Sequence, residues 1–159
     1  VDFIFLYGPL VLWLFVIFIG LYEPNKAPFI LKSVALFLFT RSFFVILTHI
    51  GPFPDQIAFN VSPENLILRF TFGGDLFFSA HTGLPFLMAL LFWNNKQLRV
   101  IFSITAVFFG IIVLLGHLHY SIDVLAAFFI TYTIYHIAET IFKKDKQYFD
   151  GIIQQSDPV

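Results

Sequence analysis

The chain has 159 residues, 58% of them hydrophobic and 12% charged, with 24 phenylalanines, no cysteine and a formal net charge of -1. A charged share about half that of an ordinary soluble domain argues against a water-soluble globule. The near-neutral balance leaves no electrostatic footprint for nucleic acid, and the lack of cysteine removes disulfides, thiolate metal sites and a cysteine nucleophile.

The chain opens at Val1, with Asp2 where a signal peptide would carry basic residues, and its first apolar stretch is too long for a signal peptide. We expect an earlier segment to precede it. Crossing a bilayer takes about 20 mostly apolar residues, because the hydrocarbon core is roughly 30 Å thick and a helix rises about 1.5 Å per residue. Five stretches reach that length: Phe3 to Tyr22, Phe29 to Ile50, Leu76 to Trp93, Leu98 to Gly116 and Tyr120 to Phe142. All are continuously apolar rather than alternating, so helices are expected, and strands with edges left unpaired in lipid are not. The predicted fold is all-α, a polytopic transmembrane helix bundle over residues 1–142 with five helices here and six once the expected earlier segment is counted. Residues 143–159, with the run Lys143-Lys144-Asp145-Lys146, are expected to form a polar, solvated cytoplasmic tail.

The links differ in length. Glu23 to Pro28, Asn94 to Gln97 and His117 to His119 are short, which makes neighbouring helices antiparallel. Gly51 to Asp75 is long and broken by Pro52, Pro54 and Pro63, although Asn65 to Phe72 could make a short interfacial strand or helix. Assigning links alternately to two sides puts Lys26, Lys32, Lys96, Arg99, Lys143, Lys144 and Lys146 on one side and leaves Arg41 and Arg69 toward the other. The positive-inside rule makes the first side cytoplasmic and turns the long 51–75 loop outward.

Ionisable groups in or beside hydrocarbon are functional candidates by default. This orientation puts Asp75 and His81 at the outward start of the third stretch, and His117, His119 and Asp123 at the outward start of the fifth. His119 and Asp123 stand four residues apart, so on a helix they share a face, and the carboxylate can hold the imidazole N–H. Such a carboxylate orients the ring and stabilises charge that develops when the other nitrogen attacks an electrophile. His81 can then protonate the departing oxygen and later activate an acceptor. Both histidines fall in first helical turns, where backbone N–H groups and the macrodipole attract an anion such as a phosphoryl group. Ser79 and Thr82 offer hydroxyl donors, His117 a neighbouring imidazole, and Arg41, Arg69 and Asp75 local charge. Blander roles stand beside these. His136 and His49 suit helix–helix hydrogen bonds, and Arg41 suits a structural pairing as well as substrate binding. Gly83, Gly110 and Gly116 suit close helix packing, and Glu139 an interfacial position.

The segment GGDLFFSAHTG, followed about 35 residues later by HLHYSIDVLAAFFIT, resembles the sphingomyelin synthase group within the phosphatidic acid phosphatase type 2 superfamily. The similar stretch runs from about Arg41 to Tyr135. The resemblance implies six membrane helices, an exoplasmic active site and a phosphohistidine intermediate formed on a phospholipid head group. It makes His119 the nucleophile, Asp123 its partner and His81 the acid and base. The family's Ser-Gly-His reads Ser79-Ala80-His81 here. The broader phosphatase pattern also has a lysine-arginine motif, and an arginine where this chain has Val113; lacking that basic cradle, the chain is nearer the synthase-like branch. The implied partners are membrane lipids, a phospholipid donor with a lipid alcohol or water as acceptor, and the chemistry needs no cofactor. Two other readings stay open on spacing alone. One is a zinc-dependent intramembrane hydrolase using His81, His117, His119 and Asp123. The other is a non-enzymatic transporter lined by the same polar groups.

Overall fold

The computed structural model describes residues 2–48 and 77–153, and among these it contains six helices and no strand. They are α1 (Asp2–Tyr22), α2 (Ala27–Leu47), α3 (Ala80–Leu91), α4 (Lys96–Leu115), α5 (Ser121–Ile141) and α6 (Lys143–Phe149). The fold class is the one read from the sequence, an all-helical bundle. The region containing Asp75, Arg69, His49 and the Asn65 to Phe72 stretch lies outside the described residues.

Local chemistry sets several boundaries. Pro28 sits in the first turn of α2, where its missing N–H is no loss. Asn95 caps α4, its side-chain oxygen accepting from the N–H groups of Gln97 and Leu98 at 3.1 Å each. That cap starts α4 at Lys96, two residues before the expected start. α3 departs further from expectation, since it begins at Ala80 instead of Leu76. Phe78 has φ 60, and a left-handed residue cannot be carried inside a right-handed helix.

α3 is the centre of the assembly, packed mainly against α4 and α5 and also touching α2, while α1 lies against α2 and α4. Phe29, Phe37, Phe78 and Phe102 are fully buried. Phe37 meets Phe78 edge to face at 4.9 Å between ring centroids, a favourable geometry for aromatic pairs. Gly83 and Gly110 do serve close packing. A methyl group at Gly83 would stand 2.7 Å from two Phe37 ring carbons and 2.9 Å from Thr131 Oγ1, and one at Gly110 would stand 3.1 Å from Val124.

The outer faces are apolar. Leu14, Leu21, Phe39, Ile46, Ile104, Leu115, Phe129 and Ile141 are all exposed, whereas Ser33, Thr82, Thr131 and Asp123 are fully buried. This arrangement, polar groups inside and hydrocarbon outside, is one that lipid tolerates and water does not. α2, α4 and α5 are long and apolar enough to cross a membrane, while α3 and the Leu10–Tyr22 part of α1 are apolar but shorter. Described helices of spanning length therefore account for three of the five expected crossings.

Where a solvated tail was expected, α6 folds back on the bundle and packs on α2. Phe149 is buried against Phe29 and Phe92, at 5.6 and 5.5 Å. Lys146 lies over the rings of Phe29, Tyr135 and Phe149, 3.0 Å from Asp150 Oδ1 and 3.7 Å from Glu139 Oε1. Lys32 Nζ of α2 reaches Asp145 Oδ2 at 2.7 Å. The charge run thus supplies docking contacts as well as solvated side chains.

Gly83→Ala is expected to destabilise the bundle by about 1–3 kcal/mol, because the fully buried Phe37 ring has to yield. Thermal unfolding in detergent measures this, and an unchanged midpoint would show that the α2–α3–α5 junction is looser than its packing indicates.

Candidate functional site

The starts of α3 and α5 are tied by their backbones: the Ser79 N–H donates to the Asp123 carbonyl at 3.4 Å. The lead-in to each helix passes through a non-glycine residue at positive φ, Phe78 before α3 and His117 (φ 51) before α5. Residues other than glycine rarely adopt this conformation, and it persists where surrounding contacts over-determine it.

His117 terminates α4. Its N–H donates to Leu114 O at 3.1 Å and the Leu118 N–H donates to Val113 O at 2.9 Å, the Schellman pattern with histidine where glycine is usual. Leu118 and Val113 are both buried in one small apolar cluster, the contact that accompanies this motif. Leu118 therefore pins the turn, leaving His117 exposed on one side and His119 only 7% exposed on the other. Val113 itself, which stands where the phosphatase pattern has an arginine, is part of this apolar wall.

Tyr120 is the N-cap of α5, and its N–H donates to Asp123 Oδ2 at 2.9 Å. His119 Nδ1 lies 3.7 Å from that same oxygen. The sequence put His119 and Asp123 on one helical face. Instead, His119 precedes the helix by two residues and Asp123 sits in its first turn, because the carboxylate caps the backbone at Tyr120. A separation of 3.7 Å exceeds a direct hydrogen bond. A ring with Nδ1 toward the carboxylate presents Nε2 away from it.

Asp123 Oδ1, Ser79 Oγ and Thr82 Oγ1 are buried with no hydrogen-bond partner among the described residues. Three polar groups at the meeting of two helix starts can accept from or donate to something small and polar. His81 is the second residue of α3, half-buried, its ring 6.3 Å from that of Phe109 on α4. Ala80 is helical, so the glycine of the family's Ser-Gly-His meets no conformational need at this position.

Arg41 of α2 donates through Nε to Phe78 O at 3.1 Å. Of the two roles left open for it, that bond supplies a structural one. His136 was expected to bridge helices, but its Nδ1 is 3.0 Å from Glu139 Oε2 on its own helix, and Glu139 also accepts from the Tyr135 hydroxyl at 2.6 Å. Sequence reasoning did not find Phe78 or Tyr120, whose contributions are made by backbone atoms and carry no side-chain signature. Among the described residues no three His, Asp or Glu side chains converge in a way that could hold a metal ion. A shallow groove along Tyr132, Thr133, His136 and Thr140 lies on α5, away from the helix starts.

Residues 73–140, less than half of the chain, match a protein-family model described as PAP2 superfamily C-terminal, and the matched stretch includes His81, His119 and Asp123. Members of that superfamily are phosphatases and phosphotransferases, and the match supports a membrane enzyme of that general class. No curated protein and no solved structure gives a significant match.

Substituting His117→Gly is expected to raise stability by about 1 kcal/mol, because glycine enters the left-handed region without the penalty histidine bears. Thermal unfolding of the detergent-solubilised protein reads this. A lower midpoint would mean that the His117 side chain holds the turn more strongly than its backbone strains it.

Proposed function

We propose that the protein is a sphingomyelin synthase-like lipid phosphotransferase that moves a phospholipid head group to a lipid alcohol through a phosphohistidine. The observation that carries this reading is the shared Asp123 Oδ2, which caps α5 and faces His119 Nδ1 at 3.7 Å, beside an α3 start tied to the same residue.

In the proposed reaction His119 Nε2 attacks the phosphorus of a phosphodiester. A nitrogen–phosphorus bond forms, the bond from phosphorus to the diacylglycerol oxygen breaks, and that oxygen takes a proton from His81. Asp123 offsets the positive charge that builds on the His119 ring. A lipid alcohol such as ceramide or diacylglycerol then gives its proton to His81 and attacks phosphorus, releasing His119. His81 therefore acts as acid and then as base, as microscopic reversibility requires. Ser79, the N-cap of α3, and Thr82, in its first turn, stand where hydroxyl donors and the helix dipole together favour phosphoryl oxygens. Our reading also places these helix starts on the non-cytoplasmic face and α6 on the cytoplasmic one, by the distribution of lysine and arginine. The buried apolar Val113 favours a phosphodiester substrate over a doubly charged monoester, since no basic cradle stands at that position.

Purified protein given phospholipid labelled in its head group, with and without an acceptor lipid, tests the reading. Acceptor-dependent transfer and an acid-labile label on the protein are expected, and His119→Ala should remove both by at least about a thousandfold. Equal head-group release with and without acceptor would instead identify a hydrolase. Activity retained within a few-fold in His119→Ala would refute the nucleophile.

A further inference from the structure

An arginine in an apolar helix is expensive to keep, and Arg41 is the fifteenth residue of the 21 in α2, well inside the apolar span. Its Nε–H is directed at a main-chain carbonyl belonging to one of the two strained residues, Phe78. Phe78 is fully buried and set edge to face against Phe37 and Phe44, both of α2. Side chain and carbonyl of this residue are therefore both held by one helix. The next residue, Ser79, gives its N–H to the Asp123 carbonyl, and Asp123 meets both Tyr120 N–H and His119 through Oδ2. The contacts form an unbroken line from α2 through the start of α3 to the start of α5, and His81 follows Ser79 by two residues.

We propose that Arg41 is a positioning residue that braces the left-handed Phe78, and through it fixes the height of His81 against His119 and Asp123. A left-handed phenylalanine is stable only while neighbours hold it. Loss of the carbonyl's donor inside an apolar bundle leaves that oxygen unsatisfied, so the turn relaxes and the first turn of α3 shifts. Placement errors near 1 Å are enough to impair a two-histidine reaction by about a hundredfold. What the brace needs from Arg41 is a donor at the Nε position.

Two substitutions separate donor from charge. Glutamine carries its Nε2 the same number of bonds from the backbone as arginine carries Nε, so Arg41→Gln keeps the donor without the charge. Arg41→Met matches glutamine in length and lacks the donor. The activity readout rests on the phosphotransfer reading, so hydrogen exchange of the Ser79–Thr82 amides is measured alongside it, and His119→Ala is the control for the reading itself. Per folded molecule, Arg41→Met should lose kcat by about 10- to 100-fold, with KM within about threefold of wild type, and should exchange faster at those amides. Arg41→Gln should restore both toward wild type. Equal losses in the two variants with a raised KM would overturn the proposal in favour of anion binding by the charge, and wild-type exchange in Arg41→Met would overturn it outright. Activity surviving in His119→Ala, with the exchange pattern as expected, would sink the phosphotransfer reading and leave the brace standing.

Discussion

Backbone groups that leave a helix inside an apolar bundle have to find new partners, since hydrocarbon offers none. The meeting of α3 and α5 is built around this constraint. Phe78 O is satisfied by Arg41, Ser79 N–H by Asp123 O, and Tyr120 N–H by the Asp123 carboxylate. Each of these bonds joins a helix start to another element or closes its first turn. The chemically versatile side chains stand where the helices are interrupted, because an interruption is where polar groups collect and where first-turn N–H groups point outward.

The two ends of the bundle are stabilised by different means. At the α6 end, Lys146 and Lys26 lie among the rings of Phe29, Phe92 and Phe149, and the anions Asp145 and Asp150 complete the contact. Lysine stems add apolar contact there while the ammonium groups stay over aromatic faces. At the other end the contacts are hydrogen bonds that each engage a main-chain group. An end held by directional bonds keeps side chains in register, whereas one held by rings and long cations tolerates adjustment, and the groups proposed to react belong to the first.

Strain is concentrated beside the candidate residues. Among the described residues, Phe78 and His117 alone combine a side chain with positive φ, and they precede His81 by three residues and His119 by two. Buried neighbours hold both. Phe78 is held by Phe37 and Phe44, and the turn at His117 by Leu118 packed with Val113. Such conformations cluster at sites where geometry matters more than local stability, which agrees with the phosphoryl-transfer role proposed for this end.

The all-helical architecture followed from the sequence alone, because continuous apolar runs near 20 residues leave a chain in lipid almost no other way to pair its backbone. Side-chain types were legible as well: histidine, aspartate and arginine stand out in hydrocarbon by their cost, and the packing role of Gly83 and Gly110 could be named from their small size. Only the tertiary structure decided where those groups stand. It started α3 at Ala80, took His119 off the helix, gave Arg41 the Phe78 carbonyl as a partner and docked α6 through Phe149. Each of these depends on a φ angle or on a bond between residues distant in sequence, such as the 37 positions between Arg41 and Phe78, and hydropathy averaged along a local window contains neither.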